Sequence, residues 1–205
     1  MNLIRKIEQN LMQPSGLFGK IITILMNYAH KAQFDILTKN INIQDDDTIL
    51  EIGFGDGLLL SKLIRNNTNA KYYGIDISED MIKTAKYNNK KALENKTLSL
   101  SVSNIEHTDF ADKTFIKIYT INTVYFWQHP KAAFNEIKRL LKPGGSFYNI
   151  FYSKDYLNTK PFAGDYFHKY TVEEVTTMTR ESGLRVVSVM EIEKGKGCCV
   201  VGGER

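Results

Sequence analysis

Residues 49–63 read ILEIGFGDGLLLSKL. The apolar run Thr48–Ile52 reads as a short strand, and Leu58–Arg65 reads as a helix. Between them Gly53, Gly55 and Gly57 alternate with larger residues, and the acidic Glu51 stands just before them. A strand that turns into a helix through glycines exposes backbone N–H groups to whatever lies against the turn. The spacing is G-x-G-x-G, one residue shorter at its end than the dinucleotide pattern G-x-G-x-x-G.

Outward from this turn the chain alternates strands with helices. Lys71–Ile75 is expected as a second strand ending at Asp76, and Ser78 caps a helix expected over residues 79–93. Strands are expected at Leu98–Val102, Phe115–Ile121 and Ser146–Tyr152. Pro130 opens a helix that Lys142-Pro143-Gly144-Gly145 stops. Thr171 with Glu174 forms the pattern of a capping box for a helix running to Glu181. Arg185–Ile192 and Cys198–Val201 read as closing strands joined by a glycine-lysine turn. The alternation predicts an α/β fold: a Rossmann-like, seven-stranded, mostly parallel sheet with helices on both faces. An N-terminal helical cap is expected over residues 1–44, broken at Pro14-Ser15-Gly16, with the core at 45–152 and a substrate-side region at 153–205, all within one domain.

Composition narrows the function. A net charge of +4 over 205 residues, without a clustered basic face, disfavours a nucleic-acid binder. No apolar run has the length of a membrane span and no leader pattern precedes the first helix, so a cytoplasmic protein is expected. GLFGKIITILMNYAHK combines an apolar face with basic residues, which leaves membrane contact open without favouring it over packing on the domain itself. The adjacent Cys198 and Cys199 fit a late strand, and the acids and histidines show no metal-ligand spacing, so no metal is expected.

A second element gives the glycine turn a ligand. Asp76 ends the next strand, where a carboxylate accepts hydrogen bonds from the paired hydroxyls of a ribose. ILEIGFGDG, YYGIDIS, the stretch from SNIEHTDFADKTF to Asn122-Thr123, and FNEIKRLLKPGG, in that order over about residues 45–152, together resemble the class I S-adenosylmethionine-dependent methyltransferases. The resemblance is strongest to the small-molecule group typified by ubiquinone and menaquinone biosynthesis enzymes. It implies S-adenosylmethionine as cofactor and S-adenosylhomocysteine as product. It further implies that Glu51, Gly53, Phe54, Gly55 and Gly57 pack around the methionine part, that Asp76 holds the ribose, and that Ile77 and Met81 lie by the adenine. Asn104 and Ile105 would meet the adenine edge, and Asn122 would face the sulfonium. The sequence departs from the family pattern at Asp109-Phe110, where Pro-Phe is frequent, and at Ile116, where an aspartate is frequent.

Methyl transfer is an in-line displacement in which orientation supplies much of the rate, and a base is needed only where the acceptor loses a proton. No catalytic residue stands out; Tyr125 and His129, in TINTVYFWQHP, are the candidates for proton transfer. Tyr28 on the N-terminal helix, Tyr125 and Trp127 are expected to contact the acceptor, and the aromatic segment 153–170 is expected to act as a lid or binding loop. The expected partner is a small molecule whose acceptor atom is left open, as is the oligomeric state. An RNA or lipid/quinone acceptor, or cofactor binding without turnover, are the alternatives. A nicotinamide oxidoreductase is disfavoured by the glycine spacing.

Overall fold

The computed structural model describes residues 3–14, 16, 19, 22, 25, 26, 29–164 and 166–204. A seven-stranded sheet has the order β3-β2-β1-β4-β5-β7-β6. Its strands are β1 (Thr48–Ile52), β2 (Lys71–Asp76), β3 (Leu98–Val102), β4 (Phe115–Ile121), β5 (Leu141–Tyr152), β6 (Arg185–Ile192) and β7 (Gly197–Gly203). β1 pairs in parallel with both β2 and β4, whereas β7 runs antiparallel to β5 and to β6. The chain reverses direction across the sheet between β1 and β4, so the ends of these two strands open a crevice at the switch point.

The helices are α1 (Leu3–Met12), α2 (Lys31–Asn40), α3 (Leu58–Asn66), α4 (Glu79–Asn88), α5 (Lys90–Glu94), α6 (Pro130–Leu140), α7 (Lys154–Asn158) and α8 (Val172–Glu181). Alternation along each strand sends side chains into two cores. Leu50, Ile118 and Phe147 pack with Phe134 and Ile137 of α6 and Val175 of α8. Ile49, Tyr119 and Tyr148 pack with Leu37 of α2, Leu60 of α3 and Ile82 of α4. Burial on both sides explains why β1 and β4 read as near-continuous apolar runs. Two local signals form as the sequence predicts. Ser78 Oγ accepts from the Met81 amide, and Thr171 and Glu174 close a capping box, a device worth about 1 kcal/mol.

Three boundaries differ from expectation. The helix after Ser78 breaks at Asn89, whose side-chain amide donates to Ala85 O at 3.0 Å and to Gly57 O at 3.1 Å. Asn89 trades helix continuity for a tie to the glycine turn. Strand pairing resumes at Leu141, immediately after α6, with a register shift between Phe115 and Lys117 that accommodates Gly144 at φ 75°. β7 begins at Gly197 and runs to Gly203, longer than its apolar centre suggests. Cys198 and Cys199 lie on it as free thiols, the second fully buried.

Candidate functional site

The loops following β1, β2 and β4 enclose a cavity of about 320 Å³. Its floor is the glycine turn; its roof is Leu11 to Pro14, pinned by Ser78 Oγ donating to Pro14 O at 2.7 Å and by Gln13 Nε2 donating to Ile77 O at 3.1 Å. The sequence showed the break at Pro14 but not that this break is the roof.

The three glycines do different work. A Cβ on Gly53 would overlap the Thr123 methyl, and one on Gly57 would come within 2.8 Å of Asn89 Nδ2 and 2.9 Å of Ala85 Cβ. Only Gly55, at φ 56°, has nothing within 4 Å of its missing side chain and borders the cavity. Gly53 lines the cavity while its missing side chain makes room for Thr123, and the missing side chain of Gly57 makes room for Asn89 and Ala85. Gly57 does not line the cavity, contrary to the expectation that it packs on a ligand. Met81 is likewise fully buried in the domain and away from the lining.

Asp76 is held with its carboxylate facing the turn. Oδ2 accepts from the Gly55 amide at 3.0 Å and Oδ1 from the Ser78 amide at 2.9 Å. Burial pushes its pKa up to about 6 against these hydrogen bonds. Glu51 lies deeper, on the face of β1 that meets Tyr119, whose hydroxyl donates to Glu51 Oε2 at 2.8 Å. Burial, with the charges of Asp56 and Asp76 nearby, raises Glu51 to about 8. Phe54, Ile77, Asn104, Ile105 and Asn122 border the cavity. Asn104 Oδ1 already accepts from the Glu106 amide at 3.0 Å. Asn122, at φ 58°, turns its side chain inward; Oδ1 accepts from the Tyr125 hydroxyl at 2.9 Å, and the buried Nδ2 has no partner.

The lining carries Glu51, Asp56, Asp76 and Glu106, and no lysine or arginine among the described residues. Such a cavity suits a cation and repels a pyrophosphate. An S-adenosylmethionine fits this donor set: Asp76 has lone pairs left for ribose hydroxyls, Gly55 leaves room for close approach, and Glu51 gains from a positive charge beside it.

A second, apolar cavity of about 530 Å³ adjoins the first and shares Leu11, Met26, His30, Asn122 and Phe126 with it. Tyr152 and the segment after β5 supply its far wall through Tyr156, Leu157, Phe162 and Phe167. α1 clamps this segment: the Gly164 amide donates to Glu8 Oε1 at 2.8 Å, and Gln9 Nε2 donates to the Tyr166 hydroxyl at 3.2 Å. The aromatic segment expected as a lid or binding loop thus lines this cavity.

The candidates for chemistry are redistributed. Tyr125 reaches the apolar cavity, but its hydroxyl is spent on Asn122 and on the Tyr152 amide, and burial raises its pKa well above the usual phenol value. It therefore orients Asn122 instead of moving a proton. His129 is exposed at the start of α6, outside both cavities, its amide donating to Glu106 Oε1 at 3.0 Å. Trp127 borders the acidic cavity, not the apolar one, and packs on Phe134 with ring centroids 5.6 Å apart. Tyr28 lies outside the described residues. Sequence reasoning missed His30 and Phe126 as residues of the junction, and Asn88 and Asn89 as braces of the turn; Asn88 Nδ2 donates to Asp56 O at 2.9 Å. Their signal is tertiary, since nothing in the local sequence marks which side chain reaches the turn.

Residues 50–149 match the family model described as a methyltransferase domain. The chain is 30% identical over 105 residues to the uncharacterized methyltransferase YdaC of Bacillus subtilis, covering 51% of this chain and 56% of that one. It is 28% identical over 154 residues to malonyl-[acyl-carrier protein] O-methyltransferase 2 of Ilyobacter polytropus, covering 74% and 55%. These matches span just over half the length of each relative. Among solved structures, a SAM-dependent methyltransferase from Aquifex aeolicus superposes with a TM-score of 0.74 at 22% identity, covering 100% of both chains.

Proposed function

We propose that this chain, which belongs to the class I S-adenosylmethionine-dependent methyltransferases by its sheet and by the sequence of its core, methylates a small-molecule acceptor. One observation carries the reading: the cavity at the switch point holds four acidic side chains and no lysine or arginine among its described lining. A nicotinamide dinucleotide would place two phosphates there; S-adenosylmethionine places positive charge. Bound there, that cofactor supplies a methyl group activated on a sulfonium.

The chain's own residues do the rest. Asp76 holds the ribose, its carboxylate pre-oriented by the Gly55 and Ser78 amides. Glu51 regains its negative charge when a cation settles beside it, so the energy of burying it is recovered on binding. The roof at Leu11–Pro14 and the aromatic wall at Phe126 exclude water from the junction, where the acceptor must lie in line for attack. A small-molecule acceptor is the form of this reading that the second cavity supports best, and a cytoplasmic location is part of the proposal. Among the described residues no helix is long and apolar enough to cross a membrane.

Calorimetric titration with S-adenosylmethionine and S-adenosylhomocysteine, alongside NADH, tests the reading. Binding of the first two in the micromolar range with no response to NADH is expected. Binding of NADH alone would overturn it.

A further inference from the structure

Resting on the methyl-transfer reading, we propose that the acceptor is an apolar molecule bearing a hydroxyl, which His30 and Asn122 grip at the neck between the two cavities. Of the described residues common to both cavities, these two alone are polar. The neck is where an acceptor atom in the apolar cavity meets the cofactor side.

The two groups are complementary to one hydroxyl. Asn122 Nδ2 is a buried donor without a partner, and the Tyr125 hydroxyl on Oδ1 fixes which way the amide points. A donor left unpaired in a buried site costs free energy that a bound oxygen would recover. His30 sits where α2 begins, packed between Phe34 (ring centroids 6.4 Å apart) and Tyr152 (6.1 Å). Burial pushes its pKa down to about 4, so it is a neutral imidazole at physiological pH, with one nitrogen free to accept. The titratable and charged groups of the apolar cavity around it are Tyr125, Tyr152, Tyr156 and Lys160, and the acidic cavity on the other side of the neck adds Glu51, Asp56, Asp76 and Glu106; burial is what keeps the imidazole neutral. The hydroxyl oxygen gains the methyl carbon as the carbon–sulfur bond breaks with its electron pair on sulfur, and the hydroxyl proton passes to His30. An oxygen that is alkylated while still protonated is a far stronger acid than imidazolium, so even a weakly basic imidazole takes that proton downhill.

The rest of the cavity sets the class of molecule. Its described walls are aliphatic and aromatic, and Lys160 is the one charged side chain on them, lying 4.3 Å from the Tyr156 ring centroid. No carboxylate lines it among the described residues, so an ammonium is excluded on charge and a neutral or anionic body is accepted.

Three isosteric probes test this by fluorescence titration in saturating S-adenosylhomocysteine: 1-naphthalenemethanol, 1-ethylnaphthalene and 1-naphthylmethylamine. The alcohol should bind about tenfold tighter than the hydrocarbon and the amine, the factor of one satisfied buried hydrogen bond or one unpaired charge. His30→Phe should retain hydrocarbon binding and erase most of the alcohol's advantage, while His30→Gln, which keeps an acceptor, should retain part of it. Equal affinity for the three probes, an advantage unchanged in His30→Phe, or no probe binding at all would overturn the proposal. Failure of S-adenosylhomocysteine itself to bind would overturn the methyl-transfer reading instead, and the probe preferences would still decide the chemistry of the pocket.

Discussion

Adding a single methyl group at each glycine of the turn separates protein packing from ligand contact. In Gly57→Ala the new Cβ meets Asn89 Nδ2 at 2.8 Å and Ala85 Cβ at 2.9 Å, at a residue with φ 73°. A left-handed alanine costs roughly 1–2 kcal/mol and an overpacked contact about 1–3 kcal/mol more. The sum is a loss of about 2–5 kcal/mol of stability. In Gly55→Ala the Cβ has nothing within 4 Å, so the conformational term of about 1–2 kcal/mol stands alone. That methyl projects at the cavity, however, and S-adenosylhomocysteine affinity should fall by about tenfold or more, since overpacking against a bound ligand costs as much as in a core. Urea denaturation midpoints at constant m, paired with calorimetry on the folded variants, measure both quantities. Because Asn89 is the group struck in Gly57→Ala, adding Asn89→Ala should cost less there than in the parent protein, a coupling that a double-mutant cycle reads directly. Equal stability losses for the two glycine variants, or normal binding by Gly55→Ala, would refute the assignment of roles.

Asp76→Ala should weaken S-adenosylmethionine binding by at least about tenfold because it removes the proposed ribose acceptor, and should lower the thermal midpoint because the Gly55 and Ser78 amides lose their acceptor; calorimetry on the folded variant showing unchanged affinity would count against the site. Glu51 gives the free protein a pH dependence. Its folded pKa of about 8 lies above its ordinary 4.5, so between these values the unfolded chain releases a proton that the folded one keeps, and stability falls as pH rises through that window. Glu51→Gln should flatten the fall in thermal melts from pH 5 to 8. Glu136 has the opposite sign. Burial opposes its ionisation, but Arg139 and Thr108 outweigh that and hold it at about 2, so its contribution is present above pH 4.5 and lost as pH falls toward 2. Acid titration of Glu136→Gln, followed by circular dichroism, should show a shallower loss over that range.

The elements that were legible in the sequence are those specified by their own neighbours. Ser78 and Thr171 announce their helices because a cap is a matter of three or four consecutive residues. The apolar strands and the acid ending β2 were legible for the same reason, and with them the sheet. The glycines were half legible. Their pattern marks a turn of unusual backbone, but whether the missing side chain clears a ligand, the Thr123 methyl or Asn89 depends on residues brought there by folding. His129 and Tyr125 were plausible because they follow β4 closely, yet one faces solvent and the other gives its hydroxyl to Asn122 and the β5 end. His30 has no local signal that marks it for a site, and only the position of α2 against Asn122 and Tyr152 brings it to the junction.

The place of β7 in the sheet bears on how the chain is made. β6 pairs with β7 alone, and β7 is the partner of the β5 edge, yet β7 is the last strand in the sequence. During synthesis from the N-terminal end, the backbone groups of β5 that face β7 stay unpaired until residues 197–203 emerge. An open edge of this kind is a template for pairing with other chains, so the interval before β7 docks is the aggregation-sensitive stage of biogenesis. The acidic cavity is carried by β1, β2 and β4 with their loops, all made earlier, whereas the apolar cavity takes Tyr152 from the end of that waiting strand. A nascent chain can therefore assemble its nucleoside-binding half first, and a cell rich in the cofactor would steady the molecule through its most exposed moment.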